Sequence, residues 1–267
     1  MNPADSVKRA ALNAAIDYLL ADPERNLPKA METANKYAPA GVFPSQRKAF
    51  ANAIENQTNW YQLILKVAHL NPDMIGGLLK TFVVDANMLA WGKQEKMRTK
   101  YGCNIPWAIL LDPTSACNLH CLGCWAADYG HKLNLTFEDI DSIICQGKEL
   151  GVHVYIYTGG EPLVRKDDVI ELCRKHPDCA FLCFTNATLI DEKFCQDMIE
   201  VKNFIPAISA EGFEETTDAR RDKGTYKRIQ HSMDLLREHG LPFGVSTCFT
   251  SQNASSVCTE EYFDWMI

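Results

Sequence analysis

The sequence from Trp107 to Trp125 reads Trp107-Ala-Ile-Leu-Leu-Asp-Pro-Thr-Ser-Ala-Cys117-Asn-Leu-His-Cys121-Leu-Gly-Cys124-Trp125. Its first five residues form a short apolar run, which is typical of a buried strand. Asp112 then begins a loop that carries three cysteines at C-x3-C-x2-C spacing. A strand followed by a loop and an amphipathic helix is the repeating unit of α/β proteins. This stretch therefore predicts where the first such unit begins.

The same unit recurs along the rest of the chain. Five apolar runs are predicted to be strands, at Trp107–Leu111, Val152–Tyr157, Phe181–Phe184, Phe204–Ile208 and Phe243–Phe249. An amphipathic helix is predicted after each strand, at Phe137–Leu150, Val169–Arg174, Asp191–Lys202, Thr225–His239 and Glu260–Ile267. Such a series implies parallel strands joined by right-handed crossovers. The fold class is therefore α/β, either an open doubly wound sheet or a partial barrel, and both place function beyond the carboxyl ends of the strands.

Residues 1–102 show a helical pattern and are predicted to form an all-α region before a domain of residues 103–267. Asn71-Pro72-Asp73 has the features of a helix start: an N-cap, a first-turn proline and an acid that suits the helix dipole. The helix that follows has a broad apolar face, at Ile75, Leu78, Leu79, Phe82, Val83, Ala86 and Leu89. We expect this face to pack on the next domain, with contact to an apolar substrate or a membrane as the alternative.

Composition excludes several classes of protein. With 27 basic and 34 acidic residues the net charge is −7, so no positive field is expected to attract nucleic acid. The apolar runs fall far short of the ~20 residues that span a bilayer, and charges from Asp5 to Asp17 interrupt the start, so neither a membrane span nor a signal peptide is expected. Eleven cysteines indicate reduced thiols and a cytoplasmic location. Cys183 and Cys248 lie in strand runs and are expected to be buried.

The three cysteines after the first strand are candidate metal ligands. Thiolates at this spacing on one short loop match iron–sulfur chemistry and can ligate three irons of a cubane cluster. The fourth iron then has no protein ligand nearby, so it can hold a small chelating molecule such as S-adenosylmethionine. The alternative is a closed zinc site in a structural interaction protein, formed by Cys117, Cys121, Cys124 and either His120 or His131.

A second loop follows the second predicted strand and reads Thr158-Gly159-Gly160-Glu161-Pro162. Two adjacent glycines let a backbone approach a ligand closely, and Glu161 offers an acceptor to a charged amine. Since neighbouring parallel strands end at the same edge of a sheet, this loop is expected to face the cysteine loop. The amine acceptor would then lie beside the open iron.

With these two loops the sequence resembles the radical S-adenosylmethionine superfamily, whose core is a partial (β/α)6 barrel. The likeness covers about Pro106 to Ile267, so the predicted barrel is truncated after five strands. The likeness implies two sets of site residues: Cys117, Cys121 and Cys124 for a [4Fe–4S] cluster, and Gly159, Gly160 and Glu161 for the methionyl amine of S-adenosylmethionine. The cysteines and Glu161 are therefore the predicted catalytic residues.

Three further stretches are similar to motifs of this superfamily. They are Thr185-Asn186-Ala187-Thr188 (a Thr-Asn-Gly-Thr turn with alanine for glycine), Ser209-Ala-Glu211-Gly212 (a Ser-x-Asp-Gly stretch) and Asp218 to Tyr226. The last resembles the Asp-x-x-Arg…Gly-x-Phe segment of a peptide-modifying subgroup that carries auxiliary clusters. The resemblance makes Thr185, Asn186, Ser209 and Arg221 candidate cofactor contacts, with Arg221 as partner of a carboxylate. In one departure, Gly123 precedes the third cysteine, where the family often has an aromatic residue.

The resemblance implies an enzyme that cleaves S-adenosylmethionine reductively and removes hydrogen from a substrate with the 5′-deoxyadenosyl radical. An electron donor such as flavodoxin or ferredoxin is then a partner. We rank a peptide or protein side chain first as substrate, a lipid chain with peripheral membrane contact second, and a small metabolite third. An activator of a partner protein would share the same site residues. Because a sixth strand normally follows in such a barrel, we expect the complete product to extend beyond Ile267.

Overall fold

The structure is a computed structural model that describes residues 3–37, 44–130 and 132–267. A sheet of five parallel strands forms its centre. The strands are β1 (Ala108–Leu111), β2 (Val154–Tyr157), β3 (Ala180–Thr185), β4 (Phe204–Ser209) and β5 (Gly244–Ser246). They lie side by side in chain order, β1-β2-β3-β4-β5. A doubly wound sheet changes direction at a switch point, so this unbroken order confirms the partial barrel.

Within the described residues, the N-terminal region contains helices joined by short turns and no strand. Its helices are α1 (Pro3–Ala21), α2 (Pro23–Tyr37), α3 (Pro44–Glu55), α4 (Asn59–Ala68), α5 (Pro72–Leu79) and α6 (Ala90–Tyr101). Between α5 and α6 the chain continues as a π-helical segment, Lys80–Leu89, which the sequence pattern does not predict. Asn71 caps α5 as predicted, because its Oδ1 accepts a hydrogen bond from Met74 N at 3.1 Å.

The remaining helices follow the strands. They are α7 (Phe137–Leu150), α8 (Lys166–Lys175), α9 (Glu192–Val201), α10 (Glu214–Arg221), α11 (Thr225–Glu238), α12 (Ala254–Val257) and α13 (Glu260–Met266). The bounds of α7 are those predicted, because Thr136 and Asp139 form a capping box at its start and Gly151 adopts the left-handed conformation at its end. The short helices α10 and α12 are additional to the prediction.

The main core lies between the sheet and the helices on its outer face. Tyr155 and Tyr157 of β2 each stack with Phe181 of β3, with ring centroids 5.8 and 5.7 Å apart, and all three side chains are buried. The hydroxyl of Tyr155 donates to Ile144 O in α7 at 2.9 Å. Gly147 makes space for this contact, since a Cβ there would lie 2.2 Å from the tyrosine oxygen. These outward-facing rings fix α7 against the sheet.

The alternate strand residues face the interior of the barrel. The pairing register aligns one row of them across four strands: Leu110, Ile156, Leu182 and Ile205. Leu78, Leu79 and Phe82, from α5 and the π-helical segment, close the end of this interior where the strands begin. A cavity of about 330 Å³ remains between helix and sheet, and its lining is apolar. The apolar helix face therefore packs on the following domain and also lines a cavity.

Helix α6 docks on the end of α7 through Gln94. Gln94 Nε2 donates to Gly151 O at 2.7 Å, and the glutamine is buried. Gly151 has φ +90°, and a Cβ there would lie 3.0 Å from the backbone nitrogen of Gln94. Left-handed Gly102 ends α6, and the division into domains 1–102 and 103–267 at this residue stays a prediction. Across the residues described, no helix has the length and apolarity needed to cross a bilayer.

Two expectations about the fifth strand are wrong. β5 spans Gly244–Ser246 rather than Phe243–Phe249. The ladder stops because Cys248 N donates to Glu211 Oε2 at 2.9 Å, and Thr247 Oγ1 lies 2.7 Å from the hydroxyl of Tyr262. Groups beyond Ser246 are thus engaged by other elements rather than by β4. Cys248 is accordingly exposed, whereas Cys183 is buried as expected.

Candidate active site

The loop after β1 carries the three predicted cluster ligands. Cys117, Cys121 and Cys124 are each partly buried, and among the described residues, which include all eleven cysteines, no disulfide forms. In the described parts of the chain, two sets of three potential ligand atoms lie within 4.8 Å of one another, and neither set contains a loop cysteine. Thiolates at C-x3-C-x2-C spacing on one loop are the ligand type that iron–sulfur clusters use.

Two opposing effects act on the protonation of the cysteine sulfurs: burial favours the neutral thiol, and nearby hydrogen-bond donors favour the thiolate. Burial raises the pKa of both Cys117 and Cys121. Leu119 N lies 3.5 Å from Cys117 Sγ and Arg221 Nη1 lies 3.9 Å from Cys121 Sγ, and both contacts act to lower the pKa of the sulfur they reach. Because iron binds the thiolate, these donors stabilise the ligating form. Of the alternative zinc ligands, His131 lies outside the described residues.

The Gly159-Gly160 pair joins the second loop to the cysteine loop. Gly160 N donates to Thr114 O at 2.9 Å, and Glu161 N donates to Ala116 O at 2.8 Å. A Cβ on Gly160 would lie 2.2 Å from Ala116 O, and Gly159 has φ +106°. The two loops face each other as predicted. The close approach that requires glycine is to the backbone of the cysteine loop.

Glu161 connects the second loop to the third. It is 1% exposed. Its Oε1 accepts from Leu163 N at 2.9 Å and from Thr185 Oγ1 at 2.7 Å, while Oε2 accepts from Asn186 N at 2.7 Å. Burial raises the pKa of Glu161, and these three donors oppose the rise. A carboxylate has about four acceptor positions, and these protein donors use three of them.

The turn after β3 returns to the cysteine loop. Asn186 Nδ2 donates to Asn118 Oδ1 at 2.9 Å and lies 4.0 Å from Cys117 Sγ, and Asn118 Nδ2 donates to Thr188 Oγ1 at 2.8 Å. Ala187, in the motif's glycine position, adopts φ +61° and is fully buried. The backbone N–H of Ala187 donates to Thr185 Oγ1 at 2.9 Å, which helps to hold this left-handed conformation without a glycine. Hydrogen bonds therefore link the first three loops in a closed ring.

Arg221 lies at the end of α10 and is held by a buried carboxylate of the chain, and its contact with the cofactor stays a prediction. Its Nε and Nη2 donate to Glu211 Oε1 at 2.8 and 2.5 Å, so its carboxylate partner here is part of the protein. Glu211 is fully buried and also receives Arg220 Nη1 at 2.6 Å. Glu211 belongs to the Ser-x-Asp-Gly-like stretch of the sequence, but no neighbouring residue in the sequence indicated that it would bind two arginines. Ser209 lies at the end of β4, opposite Ser246, and takes no part in these hydrogen bonds.

Asp218 explains the spacing of the motif that runs to Tyr226. Its carboxylate accepts from Gly224 N at 2.6 Å and from Tyr226 N at 2.8 Å, where α11 begins. This turn presents the end of α10 to the cysteine loop. There Leu122 N donates to Arg220 O at 2.8 Å. The cysteine loop is therefore held on two sides, by the ring of loops and by α10.

A cleft of about 470 Å³ opens beside the glycine pair. Its lining includes Asp112, Gly159, Gly160, Trp125 and Tyr129. The two aromatic rings meet edge to face with centroids 5.8 Å apart, and burial raises the pKa of Asp112. Trp125 thus supplies an aromatic surface although Gly123 precedes the third cysteine. The volume falls within the range of small-molecule sites, ~300–1,000 Å³.

A parallel partial barrel with three cysteines on its first loop and a Gly-Gly-Glu loop beside them defines a class of iron–sulfur proteins. The family model of the radical SAM superfamily matches residues 111–258, more than half of the chain. The chain belongs to the radical SAM superfamily.

Individual relatives match the same part of the chain. Fe-coproporphyrin III synthase of Methanosarcina barkeri is 28% identical over 154 residues, which cover 56% of this chain and 38% of the relative. The solved structure of native anSMEcpe with bound AdoMet is similar with a TM-score of 0.50 and 25% identity, covering 59% of this chain and 48% of that chain. Streptococcus suis SuiB bound to its precursor peptide SuiA shares the fold, with a TM-score of 0.54, 20% identity and coverage of 62% and 38%. The chain spans less than two thirds of each relative.

Proposed function

We propose that this protein is a radical S-adenosylmethionine enzyme that removes a hydrogen atom from a substrate C–H bond. One observation carries the proposal. The neighbouring loops and α10 hold the cysteine loop from two sides, and this loop places three partly buried thiols at the carboxyl edge of the sheet. A [4Fe–4S] cluster with S-adenosylmethionine would supply the reductive cleavage that yields methionine and the 5′-deoxyadenosyl radical. Superfamily membership supports the same chemistry.

The residues present fit these two groups. Cys117, Cys121 and Cys124 would ligate the cluster, since soft thiolates suit iron and all three lie partly buried on one loop. Glu161 would accept the methionyl amine through its remaining acceptor position while holding the Thr185-Asn186 turn in place. Gly159 and Gly160 line the adjoining cleft, and Trp125 offers a ring for a planar group. In this arrangement the chain binds, orients and shields the reactants from water.

Anaerobic reconstitution with iron and sulfide, followed by assay of 5′-deoxyadenosine, tests the proposal. The loaded chain should form this product from S-adenosylmethionine and a one-electron reductant. Adding S-adenosylmethionine should also change the electron paramagnetic resonance spectrum of the reduced cluster. Cys121→Ala should lose the cluster, and Cys103→Ala, which removes an exposed cysteine, is the matched control. Near-stoichiometric zinc without iron–sulfur absorbance would instead support the structural zinc protein.

A peptide or protein side chain is the proposed substrate. The support is the Asp218–Tyr226 turn, which resembles that of peptide-modifying enzymes, together with the precursor peptide bound by SuiB. Formation of 5′-deoxyadenosine should increase when a library of short synthetic peptides is supplied, and mass spectrometry should find a modified peptide. An electron donor of the flavodoxin or ferredoxin type and a cytoplasmic location belong to the same proposal. Replacement of a chemical reductant by either purified donor tests that partner.

A lipid chain is the second candidate, and the cavity inside the barrel favours it. About 330 Å³ of apolar space lies between Leu78, Leu79 and Phe82 on one side and Val154 and Ile156 on the other. The fluorescent fatty acid cis-parinaric acid should bind there. Ile156→Trp would fill the space and should abolish binding, whereas Val67→Trp on α4 is the control outside the cavity. Co-sedimentation with phosphatidylglycerol vesicles tests the membrane contact that this candidate entails.

A further inference from the structure

Arg221 is held in one orientation beside the sulfur of Cys121. Its Nε and Nη2 both donate to Glu211 Oε1, which fixes the plane of the guanidinium. The remaining nitrogen, Nη1, lies 3.9 Å from Cys121 Sγ. The Arg221 side chain is 12% exposed and that of Glu211 is fully buried. A buried carboxylate thus aims a guanidinium N–H at a cluster ligand.

The group around Glu211 carries one net positive charge. Arg220 shares the same Oε1 at 2.6 Å, while Oε2 receives the backbone N–H of Cys248. Two guanidiniums therefore share one carboxylate. Asp222 is the anion on the other side of Cys121 and accepts His120 N at 3.2 Å. Arg221 and Arg220 both act to lower the pKa of Cys121, whereas Asp222 acts to raise it.

We infer that Arg221 raises the reduction potential of a cluster bound through Cys121, and that Glu211 is its positioning residue. This inference rests on the proposed function. Reduction takes one electron from an external one-electron donor and adds one negative charge to the thiolate-ligated site. A fixed cation and an N–H directed at a ligand sulfur both stabilise that added charge, and both are recognised determinants of iron–sulfur potentials. Low exposure strengthens the effect, because few water molecules screen the guanidinium.

A redox titration of the reconstituted full chain, followed by electron paramagnetic resonance without S-adenosylmethionine, tests the inference. Arg221→Gln should lower the equilibrium constant for reduction about tenfold, on the scale of a lost charged hydrogen bond, which is roughly 59 mV for one electron. Arg220→Gln is the matched control, because it removes the same charge from the same carboxylate oxygen without the sulfur contact. Its shift should be smaller.

Equal shifts in the two variants, or none in Arg221→Gln, would overturn the inference. Arg221→Lys keeps the charge but loses the two-point attachment to Glu211, so its potential should lie between those of Arg221→Gln and the wild type. If Arg221→Gln does not take up a cluster, Arg221→Lys serves as the test. A reduction potential equal to that of the wild type in Arg221→Lys would contradict the proposed role of Arg221. Iron and sulfide contents verify equal loading. An intact wild-type cluster that yields no 5′-deoxyadenosine would refute the proposed function and leave the role of Arg221 standing.

Discussion

Glu161 and Asn186 lie on different loops, and Glu161 Oε2 accepts the backbone N–H of Asn186 at 2.7 Å. The other oxygen accepts two further donors, Leu163 N and Thr185 Oγ1. A residue that the sequence marks as an amine acceptor is therefore also the connection between the turns that follow β2 and β3. Its replacement should affect the folded state as well as cofactor binding.

Glu161→Gln tests this connection. The amide NH2 would face at least one N–H or O–H donor, leaving a buried donor without an acceptor. We expect the free energy of unfolding to fall by about 1–3 kcal/mol. Urea denaturation followed by circular dichroism measures the change. Glu149→Gln, on the exposed side of α7, is the control and should change stability little; equal stability of both variants would contradict the structural role of Glu161.

Gly160→Ala should separate the two loops that carry the site. The added Cβ would lie 2.2 Å from Ala116 O and 2.7 Å from Ala116 C, both backbone atoms that cannot move aside alone. We expect a loss of about 3 kcal/mol or more and poor cluster loading. Gly92→Ala on α6 meets nothing within 4 Å and should stabilise the protein by about 1 kcal/mol. Normal iron content in Gly160→Ala would show that the loops tolerate separation.

Asp218→Ala should weaken the junction between α10 and α11. Its carboxylate accepts the backbone N–H of Gly224, the residue before α11, and of Tyr226 in the first turn of α11, and loss of such capping hydrogen bonds costs about 1–2 kcal/mol. Denaturation midpoints measure the cost. Asp234→Ala removes an exposed carboxylate paired with Arg237 on the same helix and should cost less than 1 kcal/mol. Similar costs for the two variants would argue against a capping role.

Asp85 should make stability depend on pH. Burial raises its pKa to about 6, even though Arg9 Nε lies 2.8 Å away. Because the folded pKa exceeds the unfolded value of about 3.9, protonation stabilises the fold below pH ~4, and this contribution is lost as pH rises through about 6. Asp85→Asn removes the buried charge. Its stability relative to wild type should therefore rise by up to about 3 kcal/mol between pH 4 and pH 7.

Chemical denaturation at several pH values measures this difference. Asp17→Asn is the control, since it removes an exposed carboxylate that pairs with Lys80 on the same helical segment as Asp85. Between pH 4 and pH 7, the free energy of unfolding of Asp17→Asn relative to wild type should change less than that of Asp85→Asn. A constant difference between Asp85→Asn and wild type at all pH values would exclude titration of Asp85 as the cause.

Features encoded locally were predictable from the sequence. The bounds of α7 follow from Thr136, Asp139 and Gly151, which act within a few residues of each helix end. The meeting of the cysteine and Gly-Gly-Glu loops follows from parallel pairing of adjacent strands. The cysteine spacing likewise indicated a cluster without any long-range information.

Features that depend on distant partners were not predictable. Glu211 binds Arg220, Arg221 and Cys248 N, and only the folded chain brings these groups together. The same interaction shortens β5, because the backbone of Cys248 turns to Glu211 instead of continuing along β4. The glycine pair showed that something approaches closely, but its sequence could not show that this is the backbone at Ala116.

The π-helical segment sets the rotational phase between α5 and α6. Successive residues of an α-helix are rotated by about 100°, so one residue more or fewer between Lys80 and Leu89 would turn α6 by about that angle relative to α5. Phe82 would still face the barrel, but Gln94 would no longer point at Gly151. The number of residues in the π-helical segment therefore determines how the N-terminal helices are rotated relative to the barrel. Homologous chains should vary in residue type along this segment more readily than in its length.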